Sequence, residues 1–148
     1  MADENSAVTI LMAEDDDGHA LLVQQRFESV GVNNPIIRFR TGQETMNFLS
    51  GTTPGIEPGK SYLLLLDIRM PGLDGIEVLR RMKADARLKR IPVVMLTTTD
   101  DPREIALCYD LGCSSYLTKP VEFDKFAEVI KRLGLFLNII RISKIKAA

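Results

Sequence analysis

The sequence predicts one α/β domain built on a parallel β-sheet. Short apolar runs alternate with segments of helical spacing from end to end. The runs are continuously apolar, as in strands covered by helices on both faces. Polar residues close them on one side only: Glu14-Asp15-Asp16 after the first, Asp67 after the third, Thr97 after the fourth and Lys119 after the fifth. Right-handed crossovers bring such residues to the carboxyl edge of one sheet, where α/β domains bind ligands.

Val8-Thr9-Ile10-Leu11-Met12-Ala13 is expected as a first, doubly covered strand. Ala20, Val23, Phe27 and Val30 then recur at helical spacing, and Gly31 ends that helix. Pro35-Ile36-Ile37-Arg38-Phe39 is a weaker second strand, nearer the sheet edge. Thr41 caps a short helix through Met46, Phe48 and Leu49. Residues 50–61, with Gly51, Pro54, Gly55, Pro58 and Gly59, form a loop. Tyr62-Leu63-Leu64-Leu65-Leu66 is the most apolar strand and therefore central. After a Met70-Pro71-Gly72 turn, Asp74 caps a helix with Ile76, Leu79, Met82 and Ala86 on one face. Ile91 to Leu96 is the fourth strand, Ile105, Cys108 and Leu111 mark a fourth helix ended by Gly112, and Ser114 to Leu117 is a short fifth strand. Phe126, Ile130, Leu133 and Leu137 give the stripe of a long last helix. No repeat or linker interrupts this order. Residues 1–148 are therefore expected to form a single domain, with a short tail over residues 1–7 and an apolar C-terminal extension over about residues 138–148.

A chain of 148 residues is long enough to bury one core, and 45% hydrophobic with 26% charged residues is ordinary for a soluble domain. The net charge of −1, from 19 basic and 20 acidic residues, gives no field toward nucleic acid or an anionic membrane. No run approaches the ~20 apolar residues that span a bilayer, and residues 1–7 lack the parts of a signal peptide. Cys108 and Cys113 match no Cys-x-x-Cys spacing and read as buried, reduced thiols of a cytoplasmic protein.

Clustered carboxylates at strand ends are costly. Two like charges at about 4 Å repel by roughly 4 kcal/mol at an effective dielectric near 20. A cation must offset that, and an all-oxygen donor set suits a hard divalent ion such as Mg²⁺. With Lys119 at another strand end, the pattern is that of a phosphoryl-handling site assembled across strands. Gly59-Lys60-Ser61 is similar to the end of a Gly-x4-Gly-Lys-Ser/Thr phosphate loop, but Pro54 stands where the first glycine is required, and the segment precedes a strand. His19, the one histidine, reads as a surface residue beside the acids.

Four motifs, in order, now stand together: Ala13-Glu14-Asp15-Asp16, Leu66-Asp67-Ile68-Arg69-Met70-Pro71-Gly72-Leu73-Asp74-Gly75, Pro92-Val93-Val94-Met95-Leu96-Thr97-Thr98 and Tyr116-Leu117-Thr118-Lys119-Pro120. Over nearly the whole chain they resemble the receiver domain of two-component response regulators. The resemblance implies a doubly wound, flavodoxin-like sheet of strand order 2-1-3-4-5. A finer likeness is to single-domain regulators that partner bacterial phytochromes. It rests on the extended loop at residues 50–61, on Leu88-Lys89-Arg90-Ile91-Pro92-Val93-Val94, and on Leu135-Phe136-Leu137.

That likeness implies roles. Asp67 is the phosphoacceptor, attacking a phosphohistidine on a sensor histidine kinase. Mg²⁺ (or Mn²⁺) is held by Asp15, Asp67 and the backbone carbonyl of Arg69, with Glu14 or Asp16 acting through water. Lys119 and Thr97 contact phosphoryl oxygens, Tyr116 is the switch aromatic, and the Lys119-Pro120 bond is cis. Arg69 and Thr99 flank the path of an attacking water and tune the lifetime of the phosphate. The chain is then expected to be a phosphoacceptor signalling switch and not an enzyme, one that assists its own aspartyl phosphorylation and dephosphorylation.

With no effector domain following, the expected output is protein contact or onward phosphate transfer. The kinase implied is a bacterial phytochrome, with a histidine phosphotransfer or motility protein as the alternative. The apolar stretch from Leu133 to Ile145 reads either as the rest of the last helix with a packed tail, or as a homodimer or kinase-docking surface. A hydrolase of the haloacid dehalogenase type also uses Asp and Mg²⁺, but it requires a second acid where Arg69 stands. A receiver that binds partners without phosphorylation is disfavoured by intact Asp15, Asp16, Asp67, Thr97 and Lys119.

Overall fold

The structure is a computed structural model and describes residues 8–51 and 55–133. The elements are β1 (Val8–Ala13), α1 (Asp17–Ser29), β2 (Ile36–Phe39), α2 (Gly42–Leu49), β3 (Ser61–Asp67), α3 (Gly75–Lys83), β4 (Val93–Thr97), α4 (Pro102–Asp110) and β5 (Ser115–Thr118). A fifth helix, α5, runs over residues 123–133. The five strands form one parallel sheet in the order β2-β1-β3-β4-β5.

Strand periodicity divides the apolar side chains between two layers. Leu11, Leu64, Leu66, Val93 and Met95 pack against Phe48, Leu79, Met82 and Cys108 on the face covered by α2, α3 and α4. Ile10, Met12, Leu63, Leu65, Val94 and Leu96 pack against Val23, Phe27, Phe126 and Ile130 of α1 and α5. Phe27 and Phe126 meet edge to face, with ring centres 4.9 Å apart, and tie those two helices together.

Side chains close the helix starts, at Thr41 and Asp74 as the sequence implies and at Asp101 besides. Thr41 accepts the Glu44 N–H and Asp74 accepts the Glu77 N–H. Asp101 accepts from Arg103 N, with Pro102 in the first turn, where its missing N–H costs nothing.

Several boundaries differ from the sequence expectation, that of β2 among them, which begins at Ile36 and not at Pro35. Helix α3 stops at Lys83, so Ala86 lies outside it and exposed, and Leu88 fills the core instead. The cause is Asp85, whose carboxylate accepts the Arg87 and Leu88 N–H groups and closes a turn that competes with the helix. Strand β4 begins at Val93, because Pro92 has no N–H for the ladder, although its carbonyl still accepts from Leu64. Strand β3 begins one residue earlier than expected, at Ser61, which pairs with Val8. Strand β5 is displaced by one residue, to Ser115–Thr118. The N-terminal tail, most of the apolar C-terminal stretch, and with them Leu135, Phe136 and Leu137 lie outside the described residues.

Candidate functional site

Asp67 and Thr97 are the last residues of the two central strands β3 and β4, and both are almost fully buried. Asp67 pairs in register with Leu96, so Thr97 stands one step further along the neighbouring strand. Glu14 and Asp15 follow β1 directly, and Lys119 follows β5. The strand order therefore gathers acids from β1 and β3 and a lysine from β5 at one edge.

The distances are short. Lys119 donates to Asp67 Oδ2 at 2.9 Å, and its Nζ lies 2.7 Å from Glu14 Oε1. Asp67 Oδ1 accepts from the Arg69 N–H at 3.3 Å. The Lys119-Pro120 peptide is cis. Carboxylate oxygens of Glu14, Asp15 and Asp67 come within 4.8 Å of one another, and Asp15 is the exposed member. Burial pushes the Glu14 carboxyl above its usual range, and the nearby Asp67 charge adds to that; hydrogen bonds from Lys119 and Asp16 work against it. Burial alone would lower the Lys119 pKa, but hydrogen bonds to Glu14 and Asp67 outweigh it, so the ammonium is held above its ordinary value. Lys119 is thus a fixed cation for two buried acids.

Loop geometry fixes the remaining side chains. Gly75 brings the start of α3 against β3, so close that a Cβ there would sit 2.2 Å from the Asp67 carbonyl oxygen. The Gly75 N–H also donates to Ile68 O, which folds the 68–74 loop back over the strand end. Thr97 Oγ1 accepts the Thr99 N–H and Thr99 Oγ1 accepts the Asp101 N–H, a ladder leading into α4. The exposed Arg69 guanidinium lies 3.7 Å from Glu104 of α4. Tyr116 is half-buried and meets Tyr109 of α4 edge to face, with centres 5.9 Å apart.

Two expected site residues are placed differently from the rest. Asp16 is the N-cap of α1: its Oδ1 accepts the His19 N–H, which holds its carboxyl below the usual range, and it is not one of the three clustered acids. Thr99 faces the Asp101 backbone through its hydroxyl. Sequence reasoning missed Arg38 of β2, which donates from Nε and Nη2 to the Glu14 carbonyl. The signal was present in one arginine within Ile36-Ile37-Arg38-Phe39, on the strand expected beside the acids.

The family model for the response regulator receiver domain matches residues 10–131. This chain belongs to that family. The receiver domain is 37% identical over 137 residues to response regulator Rcp1 of Synechocystis, covering 92% of this chain and 93% of that protein. The crystal structure of a receiver domain from Rhodospirillum rubrum superposes with a TM-score of 0.75 at 47% identity, covering 88% of this chain and 94% of that one. The phosphorylated cyanobacterial phytochrome response regulator RcpA gives 0.74 at 31% identity, covering 89% and 94%. The Mn²⁺-bound form of Rcp1 gives 0.68 at 32%, covering 84% and 90%. The receiver domain is thus a switch of two-component signalling, and family membership implies phosphoryl acceptance on an aspartate. Its acidic cluster is compatible with a divalent cation. Among the described residues no helix is long and apolar enough to cross a membrane.

Proposed function

We propose that Asp67 is the phosphoacceptor of a single-domain, cytoplasmic response regulator driven by a sensor histidine kinase. The observation that carries this reading is the Lys119 ammonium shared between Asp67 at 2.9 Å and Glu14 at 2.7 Å, at the carboxyl edge of the sheet. Asp67 attacks the phosphorus of a phosphohistidine, the new P–O bond forming as the P–N bond breaks and the imidazole leaves with a proton.

Glu14, Asp15 and Asp67 offer hard oxygen donors at close range, which suits Mg²⁺ or Mn²⁺. Asp15, Asp67 and the Arg69 carbonyl would hold the ion, with Glu14 or Asp16 reaching it through water. When bound, it supplies charge neutralisation for the transferring phosphoryl group. Lys119 exchanges part of its contact with Asp67 for a phosphoryl oxygen. Thr97, whose Oγ1 already accepts the Thr99 N–H, still has its own hydroxyl hydrogen to donate to another.

Movement of Thr97 pulls the backbone ladder that leads to α4, and Tyr116, packed on Tyr109 of that helix, turns with it. Output is a change of protein contact on the α4-β5-α5 face. Arg69 and Thr99 border the approach to Asp67 and set the lifetime of the acyl phosphate as the domain assists its own phosphorylation and hydrolysis. The likeness to RcpA, a phytochrome response regulator, favours a bacterial phytochrome as the kinase, ahead of a histidine phosphotransfer or motility protein. The apolar C-terminal extension suits a homodimer contact.

Acetyl phosphate tests the chemistry. Intact mass should show an adduct with wild type that requires Mg²⁺, is lost in Asp67→Asn and decays at alkaline pH. An adduct that persists in Asp67→Asn would remove Asp67 from its role.

A further inference from the structure

The guanidinium of Arg38 stands outside every motif that defines the site, yet it holds the acidic loop from the side. Arg38 lies on edge strand β2, in register with Met12 of β1. Its Nε and Nη2 donate to the Glu14 carbonyl at 3.0 and 2.8 Å, and its Nη1 donates to Asp17 Oδ1 at 2.7 Å. The preceding peptide is fixed by the same strand, because the Glu14 N–H donates to the Phe39 carbonyl at 3.0 Å. Both peptides flanking Glu14 are therefore tied to two consecutive residues of β2. The second of them carries the Asp15 N–H, so the direction in which Asp15 leaves the strand is set by Arg38. Asp17 begins α1, so the same guanidinium also closes the far end of the β1–α1 turn.

We infer that Arg38 is a positioning residue for the divalent-cation site, acting through the Glu14-Asp15 peptide. The inference rests on the proposed assignment of Asp15 and Asp67 as metal-holding groups. Charge and geometry make opposite demands here. As a bare cation beside the acidic loop, Arg38 would weaken Mg²⁺ binding, and its removal would strengthen it. As a planar fork that fixes a carbonyl with two donors, it pre-organises the loop, and its removal weakens binding. A side chain 25% exposed, with three hydrogen bonds of 3.0 Å or less, is built for the second role.

Calorimetric titration with Mg²⁺ separates them, using wild type, Arg38→Lys and Arg38→Gln, with melting temperatures recorded in the absence of metal. Arg38→Lys keeps the charge and loses the fork. Its Mg²⁺ affinity should fall on the order of tenfold, as for other groups that orient a metal ligand. Arg38→Gln should also bind more weakly than wild type, and it provides the comparison if the lysine variant fails to fold. Affinity unchanged in Arg38→Lys and raised in Arg38→Gln would make Arg38 a charge alone and overturn the inference. Unchanged affinity in both, with lower melting temperatures, would make it a purely stabilising residue and overturn it equally. A wild type that takes up no Mg²⁺ would overturn the metal site itself, and the positioning role with it.

Discussion

Lys119 and Asp67 lie 52 residues apart in sequence and 2.9 Å apart in space, with Glu14 on the other side of the same ammonium at 2.7 Å. The lysine does in the resting protein what a divalent cation is proposed to do in part: it compensates two carboxylates that burial would otherwise make costly.

Replacing Lys119 by Met leaves Glu14 and Asp67 buried without a cation. Breaking such a pair costs about 3–5 kcal/mol, and urea unfolding without metal should show a loss of that order. Added Mg²⁺ should then restore more stability to the variant than it gives wild type, because ligand stabilisation acts only on the folded state. An equal Mg²⁺ increment in both proteins would mean the ion does not meet the same carboxylates.

Gly75 is required by a close approach. Alanine would favour the helix intrinsically, by about 1 kcal/mol, but its Cβ would lie 2.2 Å from Asp67 O and 2.9 Å from Ile68 Cα. Backbone cannot yield there without moving Asp67. Gly75→Ala should lose about 1–3 kcal/mol and slow acetyl-phosphate labelling. A variant that is stabilised and labels normally would show that the helix shifts freely.

Burial pushes the Cys113 thiol up to about 11, with a contribution from Cys108 and an opposing one from Lys83. The sign follows from proton counting. Above its ordinary value of 9.0 the unfolded thiol ionises while the folded one stays protonated, so stability is complete below pH 9 and declines toward pH 11. The decline amounts to about 2–3 kcal/mol. In Cys113→Ala the stability curve should be flatter over that interval, by close to 1.4 kcal/mol per pH unit. Parallel curves would place the alkaline sensitivity elsewhere.

The sheet was readable because its strands are nearly uninterrupted apolar runs, and the site was readable because polar residues end those runs. What escaped prediction depends on local hydrogen bonding or on through-space approach. Ala86 fits the helical spacing of α3, but Asp85 stops the helix first. Ile91 and Pro92 look like strand until the missing N–H is counted. Arg38 carries little signal in the sequence because an arginine on an edge strand normally reaches water, and only the register Met12 to Arg38 brings it to the Glu14 carbonyl. Gly42 is similar: a Cβ there would meet the Leu73 carbonyl oxygen at 2.1 Å, a contact between segments distant in sequence.

Asp16 offers a way to separate helix capping from metal binding within one acidic tripeptide. Its carboxylate caps α1 through the His19 N–H at 2.9 Å, while Glu14 and Asp15 turn toward Asp67. Asparagine caps about as well as aspartate, so Asp16→Asn removes charge and keeps the cap, whereas Asp16→Ala removes both. Asp16→Ala should lose about 1 kcal/mol in urea unfolding and Asp16→Asn little. If capping is the main role, both variants should show the same small fall in Mg²⁺ affinity, because both lose one nearby negative charge and neither loses a clustered ligand. A large fall in both, comparable with that of Asp15→Asn, would instead place Asp16 in the water-mediated role that the sequence first suggested.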